Sequence, residues 1–262
     1  MEDFLKYNSE GSTLRKAQIR MLEIVLEIDK IFRKHGITYW LEGGTLLGAV
    51  RHGGFIPWDD DLDINVLWKD IPKIRKILQA ELPNHMCYQD ITLDKNHHLI
   101  ISKVRDKNSI FEDPGCRRMT ERGIFVDLIP VEEVVPQCLK DIIDYVYIRC
   151  LRGMRNYSDR IIEKMLGYLC YLPAIFCVSV CRTWTKLFHT HKWGHTYGWF
   201  SYNHIVEKDI FPLTEIMFEG HLFYAPHDPD AYLTTLYGDY MQIPPEDKRE
   251  THLAKITFLD EQ

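Results

Sequence analysis

Leu14, Ala17, Met21, Ile24, Ile28 and Ile31 recur at steps of three and four residues, with Arg15, Lys16, Arg20, Glu23, Glu27, Lys30 and Lys34 between them. That period gathers the apolar side chains on one side of an α-helix, capped by Ser12 or Thr13 and stopped by Gly36. The pattern then changes. ITYWLE, residues 37 to 42, is β-branched and aromatic and reads as a strand. Gly43-Gly44-Thr45 breaks it as a tight turn, and LLGAVRH resumes helical composition. DLDINVL (61 to 67), HLIISKV (98 to 104) and GIFVDLIPV (123 to 131) are expected as strands, and KDIPKIRKILQAEL (69 to 82) as a helix.

From Pro136 the apolar spacing turns to long helices, over residues 137 to 157 and 159 to about 189. The second contains MLGYLCYLPAIFCVSVC, residues 165 to 181, without a single charge. A membrane span needs about 20 apolar residues, and Pro173 interrupts this shorter run, so spanning is not expected. We read it first as the core of a helical subdomain or a dimer face, and second as a peripheral contact with a lipid surface. Farther on, IMFEGHLFYAP (216 to 226) predicts a hairpin around Glu219-Gly220. Asp228-Pro229 predicts an N-cap with proline at the first helical position, opening DAYLTTLYG. Helices and strands are mixed, so the fold class is α+β or mixed α/β. The changes in character divide the chain into 1–135, a helical subdomain over 136–205, and a C-terminal segment over 206–262.

Composition narrows the classes. A chain of 262 residues buries a substantial core, and 45% hydrophobic with 27% charged residues is globular. The net charge of −6 argues against nucleic acid as a partner, because neutralising phosphates needs a basic surface. Seven cysteines form no CxxC pair, and MEDFLKYNSEGSTLRK lacks the basic start and apolar run of an export peptide. A reducing, cytoplasmic setting with free thiols is expected. His189, His191 and His195 are too loosely set for a zinc site.

The chemistry concentrates in FIPWDDDLDIN, residues 55 to 65, where Asp59, Asp60, Asp61 and Asp63 are crowded among apolar side chains. Carboxylates at this density repel one another unless a cation compensates, so the stretch is either a solvated turn or a cation site. On a strand, Asp61 and Asp63 would share one face, and oxygen-only ligands suit Mg²⁺ or Mn²⁺. Asp127, alone within GIFVDLIPV, would be a third ligand or a satisfied core polar group. Gly43-Gly44-Thr45, between strand and helix, could present backbone amides to a phosphate or be only a turn. Lys103 and Arg105 alternate on a strand with the same geometry as the aspartates.

A glycine turn, Asp-x-Asp, then a distant Asp resembles the nucleotidyltransferase fold of the polymerase-β type. More specifically, YWLEGGTLLGAVRHGGFIPWDDDLDI (39 to 64), FVDLIPVE and YLTTLYGDYMQIPPEDKRETH (232 to 252) resemble the LicD-type family, which includes bacterial phosphocholine transferases and is related to fukutin and fukutin-related protein. The resemblance implies a polymerase-β-like core sheet with flanking helices and an added helical subdomain. It also implies a phosphotransferase for substituted phosphate groups. The donor would be CDP-choline or another CDP-alcohol. The acceptor would be a hydroxyl of a cell-surface glycan, such as lipopolysaccharide or teichoic acid, or its lipid-linked precursor. CMP would be released, on the cytoplasmic side and at the inner face of the membrane.

By that resemblance Asp61, Asp63 and Asp127 are the metal-binding and catalytic carboxylates, and Gly43, Gly44 and Thr45 lie against the donor phosphates. Asp127 is the candidate to draw the acceptor proton. Arg51, His52, Lys103, Arg105, Lys248, Arg249 and His252 are candidate phosphate contacts, each weighed against plain surface charge. Choline would need aromatic faces from among Tyr39, Trp40, Trp58, Tyr237 and Tyr240. Two other readings stand beside this one: a nucleotidyltransferase that releases pyrophosphate, and a non-catalytic glycan-binding scaffold.

Overall fold

The computed structural model describes residues 4–112, 117–154, 160–199, 204–249 and 255–260. In chain order the elements are α1 (Leu5–Asn8), α2 (Thr13–His35), β1 (Tyr39–Leu41), α3 (Gly43–His52), β2 (Asp63–Leu67), α4 (Ile71–Glu81), β3 (Met86–Gln89), β4 (Ser102–Asp106), β5 (Ser109–Glu112) and β6 (Phe125–Glu133). Then come α5 (Gln137–Met154), α6 (Ile161–Phe188), β7 (Lys192–His195), β8 (Ile205–Val206), α7 (Glu207–Ile210), β9 (Thr214–Phe218), β10 (His221–Ala225), α8 (Pro229–Tyr237) and β11 (Lys255–Phe258).

The main sheet is mixed. Its order is β1-β2-β6-β4-β3, with β2 and β6 parallel and the other pairs antiparallel. β6 is long enough to take β4 along its first half and β7 along its second, on the edge away from β2. Alternation divides the two faces. Leu62, Ile64, Val66, Val104, Val126 and Leu128 are fully buried on one, in a core shared with Ala17, Met21, Ile24, Ile28 and Phe32 of α2. Asp63, Asn65, Lys103, Arg105 and Asp127 occupy the other.

Local signals explain several elements. Ser12 accepts the Arg15 amide at 3.2 Å and caps α2, and Gly36 ends that helix in the left-handed region at φ 61°. Asp228 accepts the Ala231 amide at 3.0 Å and caps α8, with Pro229 at its first position. β9 and β10 form the expected hairpin on Glu219 and Gly220, whose φ of 49° and 81° suit a tight turn between antiparallel strands.

Other expectations are corrected. The strand expected at 98 to 104 runs from Ser102 to Asp106, with His97 and His98 buried in the loop before it. β3, β5, β7, β8 and β11 have four residues or fewer, too few to show alternation, and arise from pairing with distant partners. The apolar run at 165 to 181 is not a buried core helix. Its large side chains point outward, and only 22% of an 18-residue apolar window within Lys164–Phe188 is buried.

Candidate active site

β2 begins at Asp63, so Asp59, Asp60 and Asp61 form the loop leading into the strand, and Asp61 does not share a strand face with Asp63 as expected. The loop nevertheless brings the carboxylates together. Asp63 is pushed well above the usual carboxylate range, first by burial, then by Asp61 and Asp127, with Lys103 opposing. Asp59 is raised in the same way, by burial and then by Asp61, which is also its hydrogen-bond partner.

Strand register supplies the third acid. Asp63 lies opposite Asp127 across β2 and β6, and Lys103 of β4 lies opposite Asp127 on the other side. The Lys103 Nζ donates to Asp127 Oδ1 at 2.5 Å in a mostly buried pair, and sits 3.5 Å from the centre of the Phe125 ring. Four carboxylates, Asp59, Asp61, Asp63 and Asp127, thus share one corner of the sheet with the Lys103 ammonium.

The glycines lie against this corner. Gly43, Gly44 and Thr45 are not a turn ahead of a helix but the first residues of α3 itself. The first amides of a helix have no acceptor within it, and they carry the positive end of its dipole. Gly43 has φ 50°, and a Cβ there would stand 3.3 Å from the Tyr237 hydroxyl. A Cβ on Gly44 would come within 2.8 Å of Asp59 Oδ2. Thr45 Oγ1 accepts the Asp63 amide at 2.9 Å, fixing the helix start to the strand start.

A second polar layer, missed by sequence reasoning, backs the first. Glu42 accepts a short hydrogen bond from the Asn65 amide and another from the Tyr232 hydroxyl, and its second oxygen lies 3.4 Å from His195 Nε2. These groups border a cavity of about 20 Å³, room for roughly one water. Burial, followed by Glu42, pushes the Tyr232 phenol well up. Asn65 was legible as the next same-face residue after Asp63. Tyr232 and His195 gave no local signal, because they arrive from α8 and β7.

The remaining candidates divide. Lys103 belongs to the acidic corner. Arg105 shares its strand face, but its buried guanidinium donates to Gln89 at 2.6 Å and to the Gly123 carbonyl at 2.8 Å, so it is tied to structure. Arg51 and His52 stand at the far end of α3, about 12 to 14 Å from its start at helical rise. There Arg51 donates to His52 at 3.0 Å and to the Tyr240 carbonyl at 3.0 Å. Burial and then Arg51 push His52 down to about 4, so it is neutral near pH 7. Arg249 joins the same end: it donates to the Tyr7 hydroxyl at 2.7 Å and lies over the rings of Trp58, Tyr7 and Phe4. Tyr240 donates to Asp230 at 2.6 Å, Lys248 is exposed, and His252 lies outside the described residues. Of the candidate aromatics, Tyr39 and Trp40 are buried in the core, whereas Tyr237 is 43% exposed beside Gly43.

Among the described residues no group of three or more His, Cys, Asp or Glu side chains is closed around a point that a metal ion could occupy. The chemistry of the donor set still fits one. Its donors are all carboxylate oxygens, which suit Mg²⁺ or Mn²⁺, and burial with mutual repulsion raises Asp59 and Asp63, a burden a divalent charge would lift.

Residues 36–143 match the family described as LicD/FKTN/FKRP, nucleotidyltransferase domain. The chain is 27% identical over 270 residues to the lipopolysaccharide cholinephosphotransferase LicD of Haemophilus influenzae, covering 94% of this chain and 98% of that protein. An uncharacterised protein of Rickettsia prowazekii is 40% identical over 77 residues, 29% of this chain and 27% of that one. The human ribitol 5-phosphate transferase FKRP is 50% identical over 46 residues, which make up 18% of this chain and 9% of that protein.

Proposed function

We propose, from the LicD-type domain that this chain carries across residues 36–143, that the protein is a phosphotransferase. It would move phosphocholine or a related phospho-alditol from a CDP-linked donor to a hydroxyl of a cell-surface glycan or its lipid-linked precursor, with CMP leaving. Two relatives, named cholinephosphotransferase and ribitol 5-phosphate transferase, support the reaction class. The observation that carries the reading is the cross-strand register of Asp63 with Asp127 beside the amino end of α3. Residues 1–135 are read as a polymerase-β-type nucleotidyltransferase core, 136–205 as a helical addition, and 206–262 as a segment that returns α8 to the start of α3. The setting is the cytoplasmic side, at the inner face of the membrane.

Transfer of a phosphoryl group asks the protein mainly for positioning and charge neutralisation. In this reading the first amides of α3 hold the donor phosphates, and the missing Cβ atoms of Gly43 and Gly44 let them approach the backbone. Asp61, Asp63 and Asp127 would hold Mg²⁺ or Mn²⁺, which when bound neutralises the diphosphate and stabilises the leaving CMP. Asp127 takes the proton of the acceptor hydroxyl. Lys103 holds Asp127 in place until substrate arrives, and Tyr237 offers its ring to the donor head group.

The test is a panel of CDP-alcohols incubated with the full chain, Mg²⁺ and a glycan acceptor, with the released nucleotide identified by chromatography. CMP with a modified acceptor supports the transfer. Release of pyrophosphate from a nucleoside triphosphate would replace it with the nucleotidyltransferase reading. No turnover, together with silent calorimetric titration by Mn²⁺, would leave the non-catalytic scaffold.

A further inference from the structure

The hairpin of α5 and α6 is built inside out for a protein in water. The two helices meet in part through small residues, beside the stacked rings of Tyr147 and Tyr171. A Cβ on Gly167 of α6 would stand 3.1 Å from the Cys150 carbonyl oxygen and 3.2 Å from the Gly153 Cα, so the backbones themselves are in contact. Ala174, Val178 and Cys181 continue that buried row. The opposite row of α6 is large, apolar and open: Ile162 is 71% exposed, Leu169 74%, Phe176 69% and Leu187 68%. Small residues between helices and large ones facing outward is the arrangement favoured where the surroundings are acyl chains, since no hydrophobic gain then drives large side chains inward.

The polar groups on α6 fit the same surroundings. Ser179 donates its hydroxyl to the Ile175 carbonyl at 2.9 Å, and Thr183 donates to the Ser179 carbonyl at 2.8 Å, so both are satisfied within the helix. Charge is sorted too. No Asp or Glu occurs between Glu163 and Glu207, while Lys164, Arg182, Lys186 and Lys192 fall in that interval, in a chain whose net charge is −6. Lys164, next to Glu163 in the chain, lies at one end of the charge-free run and Lys186 at the other, while Arg182 is turned to Glu132 of the sheet.

We infer that the outer face of the α5–α6 hairpin docks on an anionic lipid bilayer, lying in its interface without crossing it. By length and composition Lys164–Phe188 is apolar enough to cross a membrane, but Arg182 within it is bound to Glu132 of β6, which holds that end of the helix to the sheet. α5 also exposes Asp141, Arg149 and Arg152, which a crossing hairpin would bury in lipid. A second copy of the chain is the rival occupant. From Lys164 to Phe188 the helix carries no Asp or Glu, so this face offers the lysines of a second copy no acid to pair with. A layer of anionic headgroups neutralises them. Arg182 anchors the hairpin to the sheet, donating to both oxygens of Glu132 at 2.8 Å, so docking would bring the catalytic sheet to the lipid surface. The inference holds whichever phospho-alcohol is transferred.

The experiment is flotation of the full chain with vesicles of phosphatidylcholine and phosphatidylglycerol, beside the variant Leu169→Glu with Phe176→Glu. Both side chains point outward, so circular dichroism and melting temperature serve as folding controls. We expect the wild-type chain to float, and the double variant to lose at least about tenfold in bound fraction with its melting unchanged. Wild-type protein left at the bottom of the gradient overturns the inference. So does a variant that floats equally well. Sedimentation without vesicles gives the third outcome: a dimer that the double variant dissociates, with no flotation of either, assigns the face to a second copy and also overturns it.

Discussion

Asp127 answers to two charged neighbours at once: Lys103 on β4 and Asp63 on β2. Removing the lysine leaves buried acids without their cation, so Lys103→Met should destabilise the fold by about 3 kcal/mol in urea melts. Asp127→Asn should cost less, because the neutral amide also relieves Asp63. It should still bind donor while losing transfer about 100-fold or more, measured as CMP release with acceptor present. Full activity in that variant would remove Asp127 from the chemistry. Tyr237 permits a complementary test. Its hydroxyl lies beside Gly43 and its side chain is exposed, not part of the core, so Tyr237→Leu should raise the donor KM about tenfold with little change in kcat or melting temperature. At this scale the sequence was legible wherever strand alternation carried the information, as for Asp63, Lys103 and Asp127. It was not legible for Glu42, whose partners Tyr232 and His195 come from elements far along the chain.

Short-range rules governed the elements that could be read in advance. α2 and α8 have capping side chains next to their first turns, and the β9–β10 hairpin has its turn pair, so each was visible without tertiary knowledge. Short strands such as β3 and β11 exist because of the partners they pair with, and four residues hold too little pattern to foretell that. The hairpin turn also shows what pattern alone conceals. Glu219 takes a left-handed φ of 49° that Asn or Gly would adopt more readily. Its carboxylate accepts from Arg15 at 3.2 and 2.7 Å and from the Phe55 amide at 3.1 Å, and Gly54 makes room for it, since a Cβ there would lie 2.3 Å from Glu219 Oε1. Burial works to raise the Glu219 carboxyl, but the Arg15 guanidinium and the Phe55 amide prevail and hold it below the usual glutamate range. A depressed pKa means that the stabilisation is present above the unfolded-state value near 4.5 and is lost as pH falls through the folded-state value below it. Glu219→Gln should therefore cost about 2 kcal/mol at pH 7 and flatten the acid limb of the stability profile below about pH 4.5. An acid limb identical to that of the wild type would show that the turn is held by something else.

Across the whole molecule, the two faces of the sheet make opposite demands. One is a dry core shared with α2, while the other gathers Asp59, Asp61, Asp63 and Asp127 in a corner where burial and mutual repulsion raise the proton affinity of Asp59 and Asp63. Without a metal that corner works against folding, and Lys103 offsets only part of the charge. Two thermal consequences follow. Saturating Mg²⁺ or Mn²⁺, at about 100 times its dissociation constant, should stabilise the native state by about 2.7 kcal/mol, a rise of roughly 5 to 10 °C in melting temperature for a chain of this size. Asp63→Asn should melt higher than the wild type in chelator, because one repelling charge is gone, and should show little or no rise on adding metal. A merely structural acidic cluster would give the first effect without the second, and any divalent ion would then move wild type and variant alike. Differential scanning calorimetry of both proteins, with and without metal, therefore separates a cluster that is only tolerated by the fold from one shaped to hold a cation.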